Sequence, residues 1–218
     1  MTNDFPITER TRMRRKAKRA TYDRATIHAI LDEALIASVA AVIDGRPQVQ
    51  PMIHVRIGDR LILHGLATNR LLSVLADGAE ACINVTLLDA LMLARRIEDH
   101  SMHYRSATIY GRGALVADAD EKQTIMEQVF ASLVRSDRIA MLPPLAPGYL
   151  DGTMVVEIPI AEAVGKVNQA LETETGPDGI WSGLIPLNGC AGAPMPDQRT
   201  QAEALSPDAT ILGYRRRP

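Results

Sequence analysis

Aromatic side chains make up only 4% of the 218 residues, with a single tryptophan, Trp181, so the core must be built from Ala, Val, Ile, Leu and Met. Two cysteines, Cys82 and Cys190, are too few and too far apart for a disulfide framework, a zinc site or a CxxC pair. No apolar run reaches the roughly 18 residues that cross a bilayer as a helix. The N-terminus is polar and then basic, with no apolar segment before residue 30, which does not read as a secretory signal. Neither charge dominates: 24 basic and 26 acidic residues leave a formal −2, giving no global attraction to nucleic acid. GxSxG, HExxH and GxGxxG are all missing, so the common signatures of serine hydrolases, zinc peptidases and Rossmann nucleotide sites are excluded. What remains is an ordinary globular composition, 46% apolar and 23% charged. One domain with decorated ends, in a cytoplasmic protein without membrane segments, is the expectation.

The charge is unevenly placed. Residues 1–24 carry eight basic side chains against three acidic ones, a net +5. This basic arm reads either as a solvated extension leading into a helix, or as a segment that contacts phosphate or a partner. From Thr26 to Ala37, Ile27, Ile30, Leu31, Ala34 and Leu35 recur at helical spacing, with Thr21 or Asp23 as the cap. A β pattern follows. Ile36–Ile43 is an apolar run closed by the hairpin pair Asp44-Gly45, and Val49–Ile57 alternates, with Pro51 marking an edge or a bulge. Arg60–His64 is the next strand, and Leu66–Leu75 a short helix capped by Thr68 or Asn69. Ala81–Leu88 continues as Ala90–Arg95 past a bend at Asp89. Tyr104–Val116 is a long strand in which Gly111 and Gly113 mark a bulge or a barrel corner. Asp120–Val134 is helical, Met154–Ile160 a strand, and the chain beyond Gly176 a loop with a tail. Strands with turn signals and only two or three helices predict a small barrel or sandwich rather than βα units.

Chemistry is concentrated in few places. At His64-Gly65-Leu66-Ala67-Thr68-Asn69-Arg70 a strand ends at glycine, and a hydroxyl, an amide and a guanidinium gather at a helix start. That set suits a phosphate, or plain capping beside a solvated arginine. In His103-Tyr104-Arg105-Ser106, strand alternation sends Tyr104 and Ser106 to one face and His103 and Arg105 to the other. If Arg105 is buried, it requires an anion or a carboxylate. His100 and His103 form HxxH without a third ligand nearby, so no metal site is expected.

The ordered stretches Tyr22-Asp23-Arg24-Ala25-Thr26, Asp44-Gly45-Arg46-Pro47, Leu63-His64-Gly65 with Thr68-Asn69-Arg70, Asn84-Val85-Thr86-Leu87-Leu88-Asp89, His103-Tyr104-Arg105-Ser106, and Gly165-Lys166 before Trp181-Ser182-Gly183 carry a resemblance. The chain resembles the flavin-nucleotide-binding proteins related to pyridoxamine 5′-phosphate oxidase, and within them the 5-nitroimidazole-resistance branch. The resemblance implies a mainly β chain with helices: a six-stranded antiparallel split β-barrel of Greek-key type, dimeric, spanning residues 25–190 between the arm of residues 1–24 and a tail of residues 191–218. It implies a homodimer with FMN, or alternatively FAD, at the subunit interface. It places Thr68, Asn69 and Arg70 at the phosphate, and Tyr104, Arg105 and Ser106 near the phosphate or ribityl chain. Met52, Ile53, His54, Val85 and Thr86 fall beside the ring, Trp181 reaches it from the partner subunit, and His64 is the candidate catalytic proton donor or a hydrogen-bonding wall. The full substrate-phosphate set of a true pyridoxamine-phosphate oxidase is missing, so that activity is not expected. Three functions follow: an oxidoreductase passing electrons from a reduced nicotinamide or other donor to a small organic acceptor, a non-enzymatic flavin-binding, storage or sensing protein, or an arm-mediated nucleic-acid binder.

Overall fold

The computed structural model describes residues 4–134, 137–146, 148–169 and 181–187; the predicted tail of residues 191–218 lies outside them. The arm leads into a two-residue strand, β1 (Ala20–Thr21), and then into helix α1 (Arg24–Glu33). Asp23 caps α1, accepting from the Thr26 N–H at 2.8 Å and from its hydroxyl at 2.7 Å, which satisfies a donor that the first turn leaves without a partner. The helix buries Ile27, Ile30 and Leu31. It stops at Glu33 rather than Ala37, because Ile36 and Ala37 already belong to β2 (Ile36–Ile43), paired with Ile53 and Met52. Helical spacing and strand alternation overlap over these residues, and the ladder prevails.

Asp44 and Gly45 turn the chain with φ of 51° and 72°, the left-handed pair that a tight hairpin prefers. The strand that follows, β3 (Arg46–Ile57), has two partners in succession: β2 up to Ile53, then β4 (Arg60–Leu66) from His54 onward. Pro51 falls in the half with one described neighbour, where its missing N–H breaks no second ladder. Helix α2 (Arg70–Ala76) precedes β5 (Glu80–Leu93), one continuous strand whose register shifts at Asp89. From β6 (Ser101–Arg112) the chain passes through Gly113 into β7 (Ala114–Leu115). A Cβ on Gly113 would lie 2.2 Å from the Leu75 carbonyl oxygen, so only glycine fits this corner. Helices α3 (Ala119–Val134) and α4 (Asp137–Ala140) follow, then β8 (Thr153–Pro159), β9 (Glu162–Asn168) and β10 (Gly183–Pro186).

The strand order is β1-β9-β6-β5-β2-β3-β4-β8-β7, with β10 added to β5, and every pairing is antiparallel. The bend in β3 and the crossing at Gly113 curl this sheet into a split barrel that does not close. Its main core packs α1 and α2 against the inward residues of the strands, among them Val39, Leu63, Ile83, Ile109 and Ile158. A second cluster beneath α3 joins Val55, Ile62, Val155, Ile125, Met126 and Val129. Both faces of β4 and β8 are therefore buried, which explains their nearly continuous apolar runs. Among the described residues, no helix is long and apolar enough to cross a membrane.

Two ion clusters fix α1 to the sheet. Arg56 on β3 donates to Asp32 at 2.9 and 2.5 Å. On β6, Arg105 donates to Asp89 at 2.9 and 2.7 Å and to Glu33 at 3.0 and 2.5 Å. Arg105 and Asp89 are each 25% exposed and Glu33 12%, and the hydrogen bonds to Asp89 and Glu33 raise the guanidinium pKa above its ordinary value. Arg105→Met should lower unfolding free energy by about 2–3 kcal/mol in denaturant titration, since two half-buried carboxylates lose their shared cation; a loss below about 0.5 kcal/mol would mark the cluster as a mere surface pair. Gly113→Ala should cost about 3 kcal/mol through collision with rigid backbone, and an unchanged thermal midpoint would contradict the corner geometry.

Candidate functional site

Over β9, β6, β5, β2 and the first half of β3 the sheet has one face turned to α1 and α2 and one turned away. Strand pairing lines up the outward residues across five strands: Ile53 beside Ile36, Val49 beside Ala40, Ser38 beside Asn84, Thr86 beside Ser106, Leu88 beside Tyr104, and Ser106 beside Lys166. At one edge of this face Val42 and Val49 are 64% and 68% exposed, and Ile36, Ile53 and Leu88 are exposed as well. Its middle is polar. The Asn84 amide donates to the Thr108 hydroxyl at 2.9 Å, the Thr86 hydroxyl to the Asn84 amide oxygen at 3.0 Å, and the Ser106 hydroxyl only weakly, at 3.4 Å, to the Lys166 carbonyl. Three predicted site residues, Thr86, Ser106 and Tyr104, thus stand next to one another on a single accessible strip.

Beyond Tyr104 the strip runs into a concavity of about 480 Å³, walled by Arg12, Arg14, Arg15, Lys16 and Arg19 of the arm together with Lys166. The Lys166 ammonium stands 5.8 Å from the centre of the Tyr104 ring, within cation–π reach. The arm is seated rather than free: Phe5 is buried, its N–H donates to the Tyr22 carbonyl, and β1 pairs with β9 at Lys166 and Gly165. Sequence reading marked the arm as basic but assigned it no site residue, and it missed Lys166. The signal was present in the Gly165-Lys166 pair, but β9 has too little alternation to be recognised as a strand.

The remaining predicted residues lie elsewhere. Arg105 points to the opposite face, engaged by Glu33 and Asp89. Val85 and Met52 are core residues, 1% and 8% exposed. His54 is buried too, its Nε2 donating to the Leu31 carbonyl at 3.0 Å. Ile53 shares the outward face with Ile36, three strands from Ser106. Asn69 caps α2 through the Leu72 N–H at 3.1 Å and donates to the Gln50 side chain. Arg70 pairs with Asp44 in the open, and Thr68 is exposed beside it. These three lie beside β3, apart from the Tyr104–Ser106 strip. Trp181 is 64% exposed and lies across Gly183, where a Cβ would come within 2.9 Å of the indole. Since β10 pairs with the far end of β5, the indole stands well away from Thr86 in the same chain. Among the described residues, no three His, Cys, Asp or Glu side chains assemble as a metal-binding group.

His64 occupies a different surface. Its ring meets Phe130 edge-on, 6.5 Å between centres, and Phe130 in turn meets Tyr149 at 6.3 Å. Behind Phe130 opens an apolar cavity of about 490 Å³, with Leu133, Ile139, Leu142, Leu145 and Tyr149 in its walls. Burial lowers the His64 pKa below the ordinary histidine value, so the imidazole is neutral at pH 7.

Comparison with known proteins agrees with this architecture. Residues 23–167 match the family model described as pyridoxamine 5′-phosphate oxidase. The structure of the flavocytochrome Anf3 from Azotobacter vinelandii superposes with a TM-score of 0.84 at 30% identity, over 95% of this chain and 97% of that one. An FAD- and haem-binding protein from Mycobacterium smegmatis gives 0.82 at 29% identity, over 90% and 97%. A Bacteroides thetaiotaomicron protein assigned to 5-nitroimidazole antibiotic resistance shares the fold at 0.58 and 21% identity, over 68% and 86%. No curated protein sequence matches the chain. A family match running from the α1 cap through β9, over the same split barrel, makes this chain a member of the pyridoxamine 5′-phosphate oxidase family.

Proposed function

We propose that the chain is a flavin-nucleotide-binding redox protein that works as a homodimer and passes electrons from a reduced nicotinamide or another donor to a small organic acceptor. The observation that carries this reading is the continuous outward strip Thr86–Ser106–Tyr104 running into the cationic concavity. A flavin nucleotide has an apolar ring with a polar edge and an anionic tail, and the strip offers an apolar flank, surface hydroxyls and clustered cations in that order. FMN and FAD share the ring and the first phosphate, so the strip suits both. The exposed Val42, Val49, Ile36 and Ile53 form an apolar patch of the kind a second copy covers. The same patch borders the strip, which supports a cofactor site shared between subunits.

A bound flavin supplies the redox chemistry, and the protein supplies position and hydrogen bonds. Here the Ser106 hydroxyl, weakly engaged at 3.4 Å, is the donor most ready to turn toward a ligand, while Thr86 is held by Asn84. Two features narrow the role of His64. Its ring lies against Phe130 rather than on the strip, and burial lowers its pKa, which favours the neutral imidazole over an acid at pH 7.

A second reading gives that histidine a place. Two relatives of high structural similarity are described as a flavocytochrome and as an FAD- and haem-binding protein. In this chain an apolar cavity of about 490 Å³ shares the Phe130 wall with a neutral imidazole. A flat apolar macrocycle fits such a lining, and a neutral imidazole is the form that ligates iron. We propose His64 as the residue that would hold a haem, with Phe130 turning aside to admit it.

Reconstitution separates these readings. The purified protein, incubated with flavin and freed of excess, should retain bands near about 375 and 450 nm, and Ser106→Val should weaken flavin binding about tenfold without altering the fold; a protein that takes up no flavin would overturn the first reading. Haemin addition should produce a Soret band that His64→Ala abolishes. Because the pKa of His64 lies below the free value of about 6.5, haem uptake should hold from pH 8 to about 6.5 and fail only in more acidic solution. A Soret band unaffected by His64→Ala would place any haem elsewhere.

A further inference from the structure

Asn84 is an amide in the middle of β5, where a strand has little use for one. It stands on the outward face, beside Ser38 of β2 and Thr108 of β6, and each of its polar atoms is engaged. The Nδ2 group donates to the Thr108 hydroxyl at 2.9 Å and to the Ala107 carbonyl at 3.3 Å. A carbonyl oxygen only accepts, so the Ala107 contact fixes which end of the amide is nitrogen. Oδ1 therefore faces along the strand toward Thr86, whose hydroxyl lies 3.0 Å away. An amide oxygen has no proton to give, so the proton in that bond belongs to Thr86.

The Thr86 hydroxyl thus has a fixed polarity. With its proton turned to Asn84, it presents oxygen lone pairs to the open side of the strip, where Thr86 is exposed. Directly across the ladder stands Ser106, whose hydroxyl makes only the 3.4 Å contact to the Lys166 carbonyl and is ready to donate elsewhere. Side chains opposite one another on antiparallel strands have Cβ atoms about 4.5–5.5 Å apart. An acceptor and a donor therefore stand side by side. A ligand edge that carries an N–H next to a C=O is their complement. Two freely turning hydroxyls would accept that edge in either sense, and the bond to Asn84 removes the freedom at Thr86.

We propose that Thr86 accepts the imide N–H of the bound ring, N3–H in a flavin, while Ser106 donates to the carbonyl oxygen beside it and Asn84 is the positioning residue that sets this sense; the assignment rests on the flavin reading above. On the polar edge of an oxidised flavin ring N3 alone carries a proton, and the other heteroatoms accept. A site built to hydrogen-bond an N–H strongly rejects an analogue that lacks it, because its own group is then left without a partner. The cationic hollow attracts the tail of the ligand and makes no choice between rings. That choice falls to three side chains of the strip: Asn84, Thr86 and Ser106.

The test titrates the full-length protein, freed of flavin, with FMN, or with FAD if FMN is not retained, and with the same nucleotide methylated at N3. The wild type should bind the methylated form about tenfold more weakly, and Thr86→Val should bind the two within about twofold of each other. A variant that only loosened the sheet would weaken both ligands alike and keep the ratio. The role of Asn84 is read at alkaline pH, from the visible spectrum of the bound flavin. Lone pairs held toward N3 oppose its ionisation, so N3 should lose its proton about one pH unit or more above the free flavin. In Asn84→Ala the hydroxyl turns and donates to the ionised nitrogen, and the ionisation should return to the free value or below it. Equal wild-type affinity for the two ligands, or a methylation penalty that persists in Thr86→Val, overturns the assignment of Thr86. An ionisation that Asn84→Ala leaves unchanged overturns the role of Asn84. Uptake of neither FMN nor FAD overturns the flavin reading, and the assignment falls with it.

Discussion

One guanidinium links the helix that covers the inner face of the sheet to the strands that carry the outer one. Arg105 sits on β6 between Tyr104 and Ser106, which face outward, and it turns inward to Asp89 and Glu33. Those two carboxylates belong to the register shift in β5 and to the last turn of α1. This side chain thus ties the helix to β5 and β6, as Arg56 ties it to β3 through Asp32. With α1 held on that side, the opposite side of the same strands stays open, and the hydroxyls of Thr86 and Ser106 remain available. The structural cluster and the candidate binding strip are two faces of one strand, kept apart by its alternation.

Much of this was legible from residue patterns. Asp44-Gly45, the Asp23 cap and the Asn69 cap act where short-range chemistry predicts, because each depends on neighbours within three residues. Gly111 and Gly113 suggest a bulge or a corner; the corner falls at Gly113, while Gly111 stays in the regular β5–β6 ladder. The requirement of Arg105 for an anion was also readable, but its partners were not: Glu33 and Asp89 are 72 and 16 residues away, and only the folded sheet brings them together. The end of α1 was misplaced because Ala34–Ala37 satisfies both helical and strand spacing, and strand pairing to β3 decides between them. Strand β9 stayed hidden because Glu162–Asn168 has little apolar alternation, and its place in the sheet comes from pairing with β6. The family resemblance located the right strands for a cofactor. It could not reveal which residues of each strand face outward, so Met52, His54 and Val85 were grouped with Thr86 although they are buried.

The arm shows how a feature with no secondary-structure signal can still be ordered. It contributes a buried Phe5, a buried Thr11 and a two-residue strand, and each is too small to register as an element in the sequence. Together they hold its cations against Tyr104 and Lys166. On the other side of the barrel, the apolar hollow behind Phe130 is built by α3, α4 and the residues after them. The chain thus carries two hollows of similar size and opposite character, one cationic and one apolar, with the barrel wall between the chemistries each would accept.

Because Arg12 through Arg19 are held as a loop between two independent anchors, their side chains contribute little to the packing that keeps the barrel folded. Their number and sign are free to drift without loss of the fold, while Arg10, Thr11, Thr21 and Gly165 are not. Substitutions at Arg12, Arg14, Arg15 or Lys16 therefore change the charge of the hollow beside Tyr104 while leaving the anchors of the arm in place.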